Sequence, residues 1–324
     1  MRRVWLSLLL AAACIAAASQ AALAQPASDV VTITRASMSR TSNEWPLFVA
    51  AHKGFFAREK IAVKTSVISP ATITSSLIGG AVEIGFIPAY QLVLSVEKGA
   101  NVVAIGQGLD PAPYFLMAPA AIKTIADLKG KTVAAATPRD VYTTVLREVL
   151  QKGGLNPDKD VKFFYGSNSN QRFAALLGGA ASAGLLVPPQ TGQLEEKGFH
   201  SLAFLPDLYP KLTLSLTAVR RDWAEKNSDV LRRFMRAISA ANTWLNNPAN
   251  RKEAIDILVK ENAADVKSAA EAYDLFVVKT ANYPNDGCIK TEGMEVLLKM
   301  LEQMGDVSGK PPLTKFVDKQ WCPK

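Results

Sequence analysis

The feature that most constrains the fold of this chain is an internal repeat with an offset of about 99 residues. The segment SSLIGGAVEIGFIPAYQ (75–91) aligns with AALLGGAASAGLLVPPQ (174–190), and shorter matches precede both copies in the same order. Each copy has the pattern of a helix end, a Gly-Gly C-cap, a short strand and a loop. Because two repeats are too few for a solenoid, the sequence predicts two lobes of similar construction.

Strand and helix patterns alternate within each lobe, which favours right-handed crossovers and a parallel sheet. In the first lobe we expect strands at 30–36 and 61–68 and helices at 43–53 and 70–78. In the second lobe we expect strands at 131–136 and 161–165 and helices at 140–151 and 170–177. The predicted fold class is therefore α/β.

The chain is expected to cross between the lobes twice. The segment DPAP (110–113) interrupts the first lobe, and Leu alternates with Thr or Ser over 212–217, which indicates a strand that leads back. Helical patterns then complete the first lobe at 228–245, 248–260, 265–280 and 291–304. The predicted domains are a discontinuous lobe 1 (25–116 and 217–324) and an inserted lobe 2 (117–216), a hinged pair with a cleft between them.

Residues 1–24 have the features of a cleaved signal peptide. Arg2 and Arg3 form a basic start, an apolar stretch covers 4–18, and Ala22-Leu23-Ala24 forms the cleavage motif. A membrane anchor is disfavoured because the apolar stretch is short for a span of about 20 residues. A lipoprotein modified at Cys14 is disfavoured because three alanines, without the usual leucine, precede that cysteine. We therefore expect export to the periplasm.

Two cysteines remain after cleavage, Cys288 and Cys322. In an oxidising compartment an even pair is interpreted as a disulfide, here one that ties down the C-terminal tail. Two free thiols are the alternative if the protein is not exported.

The formal charge of +8 raises the question of a nucleic-acid or membrane partner. The signal peptide carries two arginines and no acidic residue, so cleavage lowers the charge to +6. The remaining basic residues form no stripe with interleaved aromatic residues, and we predict no nucleic-acid partner.

The sequence has little material for catalysis. It contains two histidines and none of the motifs G-x-S-x-G, H-E-x-x-H, C-x-x-C or the Walker loop. Acidic residues are scattered without a metal-binding spacing. We therefore predict a binding protein without catalytic residues, cofactor or metal.

In open α/β sheets, ligands bind beyond the carboxyl ends of the strands. These ends predict cleft loops at 37–40, 87–90, 137–140 and 187–190. Thr137 and Pro138 have the form of an N-cap and a first helical residue, and a helix N-terminus suits an anionic head group. Arg139 or Arg40 can add a charge-assisted contact. Asp140 argues against an anionic ligand at this position, because its own carboxylate can occupy the helix end.

Three aromatic residues near the predicted cleft, Trp45, Tyr90 and Tyr114, can pack the organic body of a ligand. For each of them, packing in the core is an equal alternative.

The order of several segments resembles the periplasmic substrate-binding proteins of nitrate/sulfonate/taurine-type ABC importers, a family that includes thiamine-pyrimidine-binding proteins. These segments are PLFVAAHKGFFAREKIAVK, GGAVEIGFIPAYQ, KTIADLKGKTVAAATPRD, ANTWLNNPANRKEAIDIL and LTKFVDKQW. The resemblance implies a type II periplasmic-binding-protein fold that closes on one small ligand, and an ABC permease as membrane partner. It also implies that the cleft loops include Ser37, Ser39, Pro88, Ala89, Pro138, Arg139, Asp140, Val141 and Pro188.

The leading hypothesis is therefore a monomeric solute-binding protein that captures a small anionic organic ligand, such as a sulfonate or an aromatic carboxylic acid. The alternatives are a binder of thiamine-pyrimidine-type ligands, an enzyme on the same fold, and a sensor subunit that presents the loaded cleft to a receptor.

Overall fold

Two five-stranded sheets form the framework of the fold, with the strand orders β2-β1-β3-β10-β4 and β7-β6-β8-β5-β9. The computed structural model describes residues 30–111 and 113–323, and the predicted signal peptide and Cys14 lie outside these residues. The strands are β1 Val31–Ser37, β2 Ile61–Val67, β3 Ile84–Pro88, β4 Val102–Gln107, β5 Phe115–Pro119, β6 Thr132–Ala135, β7 Lys162–Tyr165, β8 Ala183–Leu186, β9 Phe199–Phe204 and β10 Ser215–Arg220.

We call the part built on the first sheet lobe 1 and the part built on the second sheet lobe 2. From Thr32 onward the described residues form one compact unit that contains both. The predicted two-lobe α/β architecture is confirmed.

Each sheet is mixed: strands of the repeated units pair in parallel, as the alternation of strands and helices favours, and each sheet also contains an antiparallel strand from the crossings. β1 pairs in parallel with β3, and β6 with β7 and β8, as expected. However, β10 is antiparallel to β3 and β4, and β5 is antiparallel to β8 and β9. The physical reason is that β5 and β10 arrive from the other lobe through short connections. They therefore enter their sheets at the end where the parallel strands finish.

The helices lie between and beside these strands. In lobe 1 before the first crossing they are α1 Trp45–His52, α2 Phe55–Arg58, α3 Pro70–Gly79 and α4 Ala89–Glu97. In lobe 2 they are α5 Val141–Lys152, α6 Ser169–Leu177 and α7 Gln190–Glu195. After the return to lobe 1 they are α8 Arg221–Lys226, α9 Ser228–Leu245, α10 Arg251–Asn262, α11 Val266–Tyr273 and α12 Thr291–Gln303.

Helix α9 has the bounds that the sequence predicts, because its apolar stripe is regular: Leu231, Phe234, Met235 and Leu245 are all buried. Phe234 stacks on Phe56 of α2 with a ring-centroid distance of 5.8 Å. By contrast, the helix expected over 265–280 is divided into α11 and a π-helical segment, Asp274–Lys279. Among the described residues, no helix is long and apolar enough to cross a membrane.

The repeat corresponds to the same local structure in both lobes. α3 and α6 each end at a Gly-Gly pair, and the second glycine, Gly80 or Gly179, has a positive φ of +80° or +71°. This left-handed conformation is open to glycine at little cost, and it ends a helix by turning the chain away from its axis. The turn leads directly into β3 in lobe 1 and into β8 in lobe 2.

The predicted disulfide is confirmed: Cys288 and Cys322 are bonded, with their Cα atoms 5.8 Å apart. The bridge closes a segment with a sequence separation of 34 that contains α12. It therefore attaches the C-terminal tail to the segment that leads into that helix.

We expect replacement of both cysteines by serine to lower the free energy of unfolding by about 3–4 kcal/mol, because the open chain gains loop entropy when it unfolds. Urea unfolding of the oxidised wild type and the double variant measures this difference. As a control, a reducing agent should destabilise the wild type and leave the variant unchanged. Equal stability of the two oxidised proteins would contradict the prediction.

Asp110 holds the two chain crossings together. Its Oδ1 accepts a hydrogen bond from the backbone N–H of Leu212 at 3.1 Å, and its Oδ2 accepts one from Thr213 Oγ1 at 3.4 Å. Its own N–H donates to Asn282 Oδ1 at 2.9 Å. Asp110 is only 5% exposed, and this burial raises the pKa of its carboxyl above the ordinary value of 3.8, with Lys290 opposing the shift.

We expect Asp110→Asn to be more stable than the wild type at neutral pH and to lose that advantage towards pH 4. An amide still accepts from Leu212 but carries no buried charge. Because the pKa is raised in the folded state, the wild type loses stability as pH rises from the unfolded value through the folded value. Asp110→Asn has no carboxyl at this position and does not lose stability in this pH range.

Asp110→Ala leaves the Leu212 N–H unpaired and should lower the free energy of unfolding by about 1–3 kcal/mol. Denaturant unfolding between pH 4 and 7 tests both variants, and parallel curves for wild type and Asp110→Asn would refute the expected pH dependence.

Candidate functional site

A buried ion pair fixes the loop that follows β1. Arg35 on β1 contacts Glu44 with an Nη1–Oε2 distance of 2.8 Å, and both side chains are almost completely buried. The Glu44 carboxylate also accepts a hydrogen bond from the hydroxyl of Ser37, the last residue of β1. Ser37 thus belongs to the support of the loop, because its hydroxyl is bonded within lobe 1.

Ser39 and Arg40 lie at a cavity of about 210 Å³ whose lining residues all belong to lobe 1. Arg40 forms an ion pair with Glu261 at the end of α10, and its guanidinium lies over the ring of Phe48. The structure therefore places these two predicted residues beside α1 and α10.

Ser42 links lobe 1 directly to lobe 2. Its Oγ donates a hydrogen bond to the backbone carbonyl of Pro188 at 2.8 Å, and Ser42 is fully buried. The Tyr283 hydroxyl donates to the carbonyl of Ser42 at 2.6 Å and so holds the loop from behind. Pro188, one of the predicted cleft residues, thus lies at the contact between the lobes.

The loop after β3 leads into α4. Pro88 and Ala89 are buried, and the N–H of Ala89 donates to the carbonyl of Leu214 in the return crossing at 2.8 Å. Tyr90, in the first turn of α4, has a pKa raised to about 12, first by burial and then by the negative charge of Asp140 of lobe 2. Hydrogen bonds with Thr137 and Gln91 oppose this shift.

The loop after β6 differs from the prediction at one point. The sequence predicts Thr137 as N-cap and Pro138 as first helical residue, but α5 begins at Val141 and its N-cap is Asp140. Asp140 Oδ1 accepts a hydrogen bond from the N–H of Tyr142 at 2.8 Å. A carboxylate in this position satisfies an N–H that the helix leaves unpaired, as the alternative interpretation of Asp140 had it.

Asp140 is 8% exposed, and burial raises the pKa of its carboxyl. Hydrogen bonds from the Tyr142 and Thr143 N–H groups and from the Tyr90 hydroxyl lower it, as does the positive charge of Arg172. Arg172 is 3% exposed, and each of its three side-chain nitrogens donates to an acceptor of lobe 2: Leu185 O, Gly166 O and Ser169 Oγ.

Three tyrosines interact with Asp140 or Arg172, and we call them the tyrosine cluster: Tyr90, Tyr114 and Tyr142. The rings of Tyr114 and Tyr142 have centroids 5.0 Å apart, and the Arg172 guanidinium carbon lies 5.7 Å from the Tyr114 centroid. The Tyr142 hydroxyl is buried and has no hydrogen-bond partner among the described residues. The cluster is aromatic and polar, and it includes residues of both lobes.

The remaining predicted residues have different surroundings. Trp45 is fully buried in the core of lobe 1, where its indole N–H donates to the carbonyl of Ala254 at 3.0 Å, so the alternative of core packing applies to it. Arg139 is exposed and forms an ion pair with Asp306 of lobe 1. Val141, the first residue of α5, is buried.

A second contact between the lobes lies where α7 meets α11. At Gly192, a Cβ atom would be only 2.8 Å from Ser268 Oγ and from Glu271 Oε2. Lys279 of lobe 1 also lies over the ring of Phe204 of lobe 2, with its ammonium 4.8 Å from the centroid. The lobes are therefore in contact on several sides of the predicted cleft.

Sequence reasoning missed Ser42, Tyr142, Arg172 and Gly192, although the repeat contained a signal for one of them. At the repeat offset, Arg172 of α6 corresponds to Ile73 of α3, which is fully buried. A charged residue at a position whose counterpart lies in the core indicates a buried arginine. Among the described residues, no group of His, Cys, Asp or Glu side chains could hold a metal ion.

Comparison with known proteins gives consistent matches. The chain is 24% identical over 291 residues to the putative binding protein YtlA of Bacillus subtilis, covering 86% of this chain and 85% of that protein. The periplasmic nitrate-binding protein NrtA of Synechocystis has the same fold, with a TM-score of 0.72, 15% identity, and coverage of 87% of this chain and 83% of that one. The periplasmic aliphatic sulphonate-binding protein SsuA of Escherichia coli superimposes with a TM-score of 0.67, 18% identity, and coverage of 89% and 97%.

The sequence profile of the NMT1/THI5-like family matches residues 41–251, which is more than half of the chain. This range includes the end of the β1–α1 loop, the whole of lobe 2 and the return crossing. These matches confirm the resemblance to the nitrate/sulfonate/taurine group of binding proteins that the sequence suggests. The chain therefore belongs to the NMT1/THI5-like family.

Proposed function

We propose that this chain is a periplasmic solute-binding protein that captures a small organic ligand between its lobes and delivers it to the permease of an ABC importer. The observation that carries the proposal is the direct contact between strand-end loops of the two sheets. Ser42 after β1 donates to the carbonyl of Pro188 after β8. Tyr90 after β3 interacts with Asp140 after β6, whose negative charge raises the pKa of the tyrosine. A solute held there contacts both lobes at once.

The proposed mechanism is closure of the lobes about the two crossings. A ligand that touches both lobes binds the closed arrangement more tightly than the open one, and this difference in affinity is what shifts the equilibrium. The hydrogen bonds of Asp110 keep the crossings together while the lobes move. The closed form is then the one that the permease receives.

Relatives indicate the range of ligands without fixing the one bound here. NrtA is described as nitrate-binding and SsuA as binding aliphatic sulphonates. These names support the prediction of an anionic solute. However, that prediction placed the anion at the N-terminus of α5, and Asp140 occupies this helix end as its N-cap. We therefore propose a small polar organic solute and examine its charge below.

Binding without catalysis fits the distribution of histidines. His52 Nε2 lies 2.7 Å from Glu261 Oε1 beside α10, and His200 is on β9. Neither adjoins the tyrosine cluster. The proposal also includes cleavage of the signal peptide, a monomeric protein and no nucleic-acid partner, as predicted from the sequence.

Native mass spectrometry of the protein purified from its own periplasm should reveal a bound small molecule. Calorimetric titration with sulfonates, aromatic carboxylates and pyrimidines, followed by small-angle scattering, should then show binding and a reduced radius of gyration. If no solute binds and none closes the lobes, the proposed function is wrong.

Gly192→Leu is expected to weaken ligand binding on the order of tenfold or more, chiefly through faster dissociation, because the new side chain meets Ser268 and Glu271 and opposes closure. Stability should not fall, since leucine favours the helix more than glycine does. The matched control is Gly79→Leu at the end of α3, where a Cβ meets nothing within 4 Å. Calorimetry on the co-purified ligand measures the affinities, and unchanged affinity in Gly192→Leu would contradict closure at this contact.

A further inference from the structure

The first turn of α5 already holds a carboxylate of its own. Asp140 accepts from the N–H of Tyr142 at 2.8 Å, is buried, and forms a hydrogen bond with the Tyr90 hydroxyl of the other lobe. The unpaired N–H groups and the partial positive charge of a helix N-terminus otherwise attract an anion. Here the protein supplies that anion itself. A sulfonate or carboxylate brought to this point would meet a buried negative charge, which is unfavourable where water is excluded.

Arg172 offsets part of the charge of Asp140 and is itself buried and bonded within lobe 2. Its Nε and Nη1 each donate to a backbone carbonyl at 2.8 Å, and its Nη2 donates to Ser169 Oγ at 3.2 Å. The guanidinium also lies over the face of Tyr114. Its position is therefore determined by lobe 2, and these three bonds use three of its five N–H donors within that lobe.

A second acceptor lies at the neighbouring strand end of lobe 2. Gln190 follows β8, the strand that pairs with β6, and it is 8% exposed. Its Nε2 donates to Asn170 Oδ1 at 2.8 Å, which fixes the orientation of the amide. Its Oε1 is buried and has no hydrogen-bond partner among the described residues. A buried acceptor in this state is stabilised by a ligand that donates a hydrogen bond to it.

We propose that Asp140 determines the charge preference of the cleft: lobe 2 takes a ligand group that donates hydrogen bonds, a neutral or cationic nitrogen group such as an amine, amide or amidine, and rejects sulfonate or carboxylate head groups. Gln190 Oε1 is the second acceptor for that group. The inference rests on the proposed function, because it assumes that the ligand lies between the lobes. The tyrosine cluster supplies aromatic faces for a planar body next to the donor group.

Three probes with the same ring and planar head groups of different charge test the inference: benzamidine, benzamide and benzoate. Each is titrated calorimetrically into the wild type and into Asp140→Asn. Asparagine remains a good N-cap, so the substitution removes the charge and keeps α5 capped. The matched control is Asp265→Asn, the same substitution at the exposed N-cap of α11, where Asp265 accepts from the N–H of Ser268 at 2.8 Å.

The wild type should bind benzamidine or benzamide more tightly than benzoate, and Asp140→Asn should reduce the benzamidine-to-benzoate affinity ratio on the order of tenfold or more. Asp265→Asn should keep the wild-type ratio. Tighter binding of benzoate by the wild type, an unchanged ratio in Asp140→Asn, or failure of all three probes to bind the wild type would each overturn the inference. The proposed function is separate, because it fails only if no solute of any class closes the lobes.

Discussion

The geometry of the cleft depends on how the chain crosses twice between the lobes. Asp110 in the first crossing accepts hydrogen bonds from Leu212 and Thr213 in the second, so the two crossings behave as one connection. The return crossing also accepts the Ala89 N–H through the carbonyl of Leu214. The helix that carries Tyr90 is therefore attached directly to the return crossing. If the lobes move about the crossings as we propose, the position of Tyr90 changes with them.

The two lobes fix their strand-end loops by different interactions, although their sheets have the same order. In lobe 1 the buried pair Arg35–Glu44 holds the loop, and its cost of desolvation is offset by the hydrogen bond from Ser37 and by the position of Arg35 over the Phe86 ring. In lobe 2 Arg172 holds the corresponding loops by donating hydrogen bonds to uncharged acceptors. Since each arginine is held within its own lobe, each loop keeps its shape whether the lobes are together or apart.

Much of this arrangement could be predicted from the sequence, because it follows from local signals. The repeated Gly-Gly pair predicts the ends of α3 and α6, and the regular apolar stripe predicts α9. The direction of β10 could not be read in this way, since it depends on the end of the sheet at which the chain arrives. The N-cap of α5 was ambiguous for a related reason, although the helix is expected over 140–151: Thr137-Pro138 and Asp140 are both acceptable helix starts locally. Burial of Asp140 under the opposite lobe is a tertiary effect.

The repeat also shows where the lobes differ, and two of these differences lie at the predicted cleft. At the repeat offset, Ile73 corresponds to Arg172, and Tyr90 corresponds to Pro189. Lobe 1 therefore contributes an aromatic hydroxyl where lobe 2 has a proline, and lobe 2 contributes a buried cation where lobe 1 has a core aliphatic residue. A symmetric pair of lobes would present the same groups to both faces of a ligand. For a ligand bound between the lobes as we propose, this asymmetry favours one orientation, with the hydrogen-bond donors of the ligand towards Asp140 and Gln190.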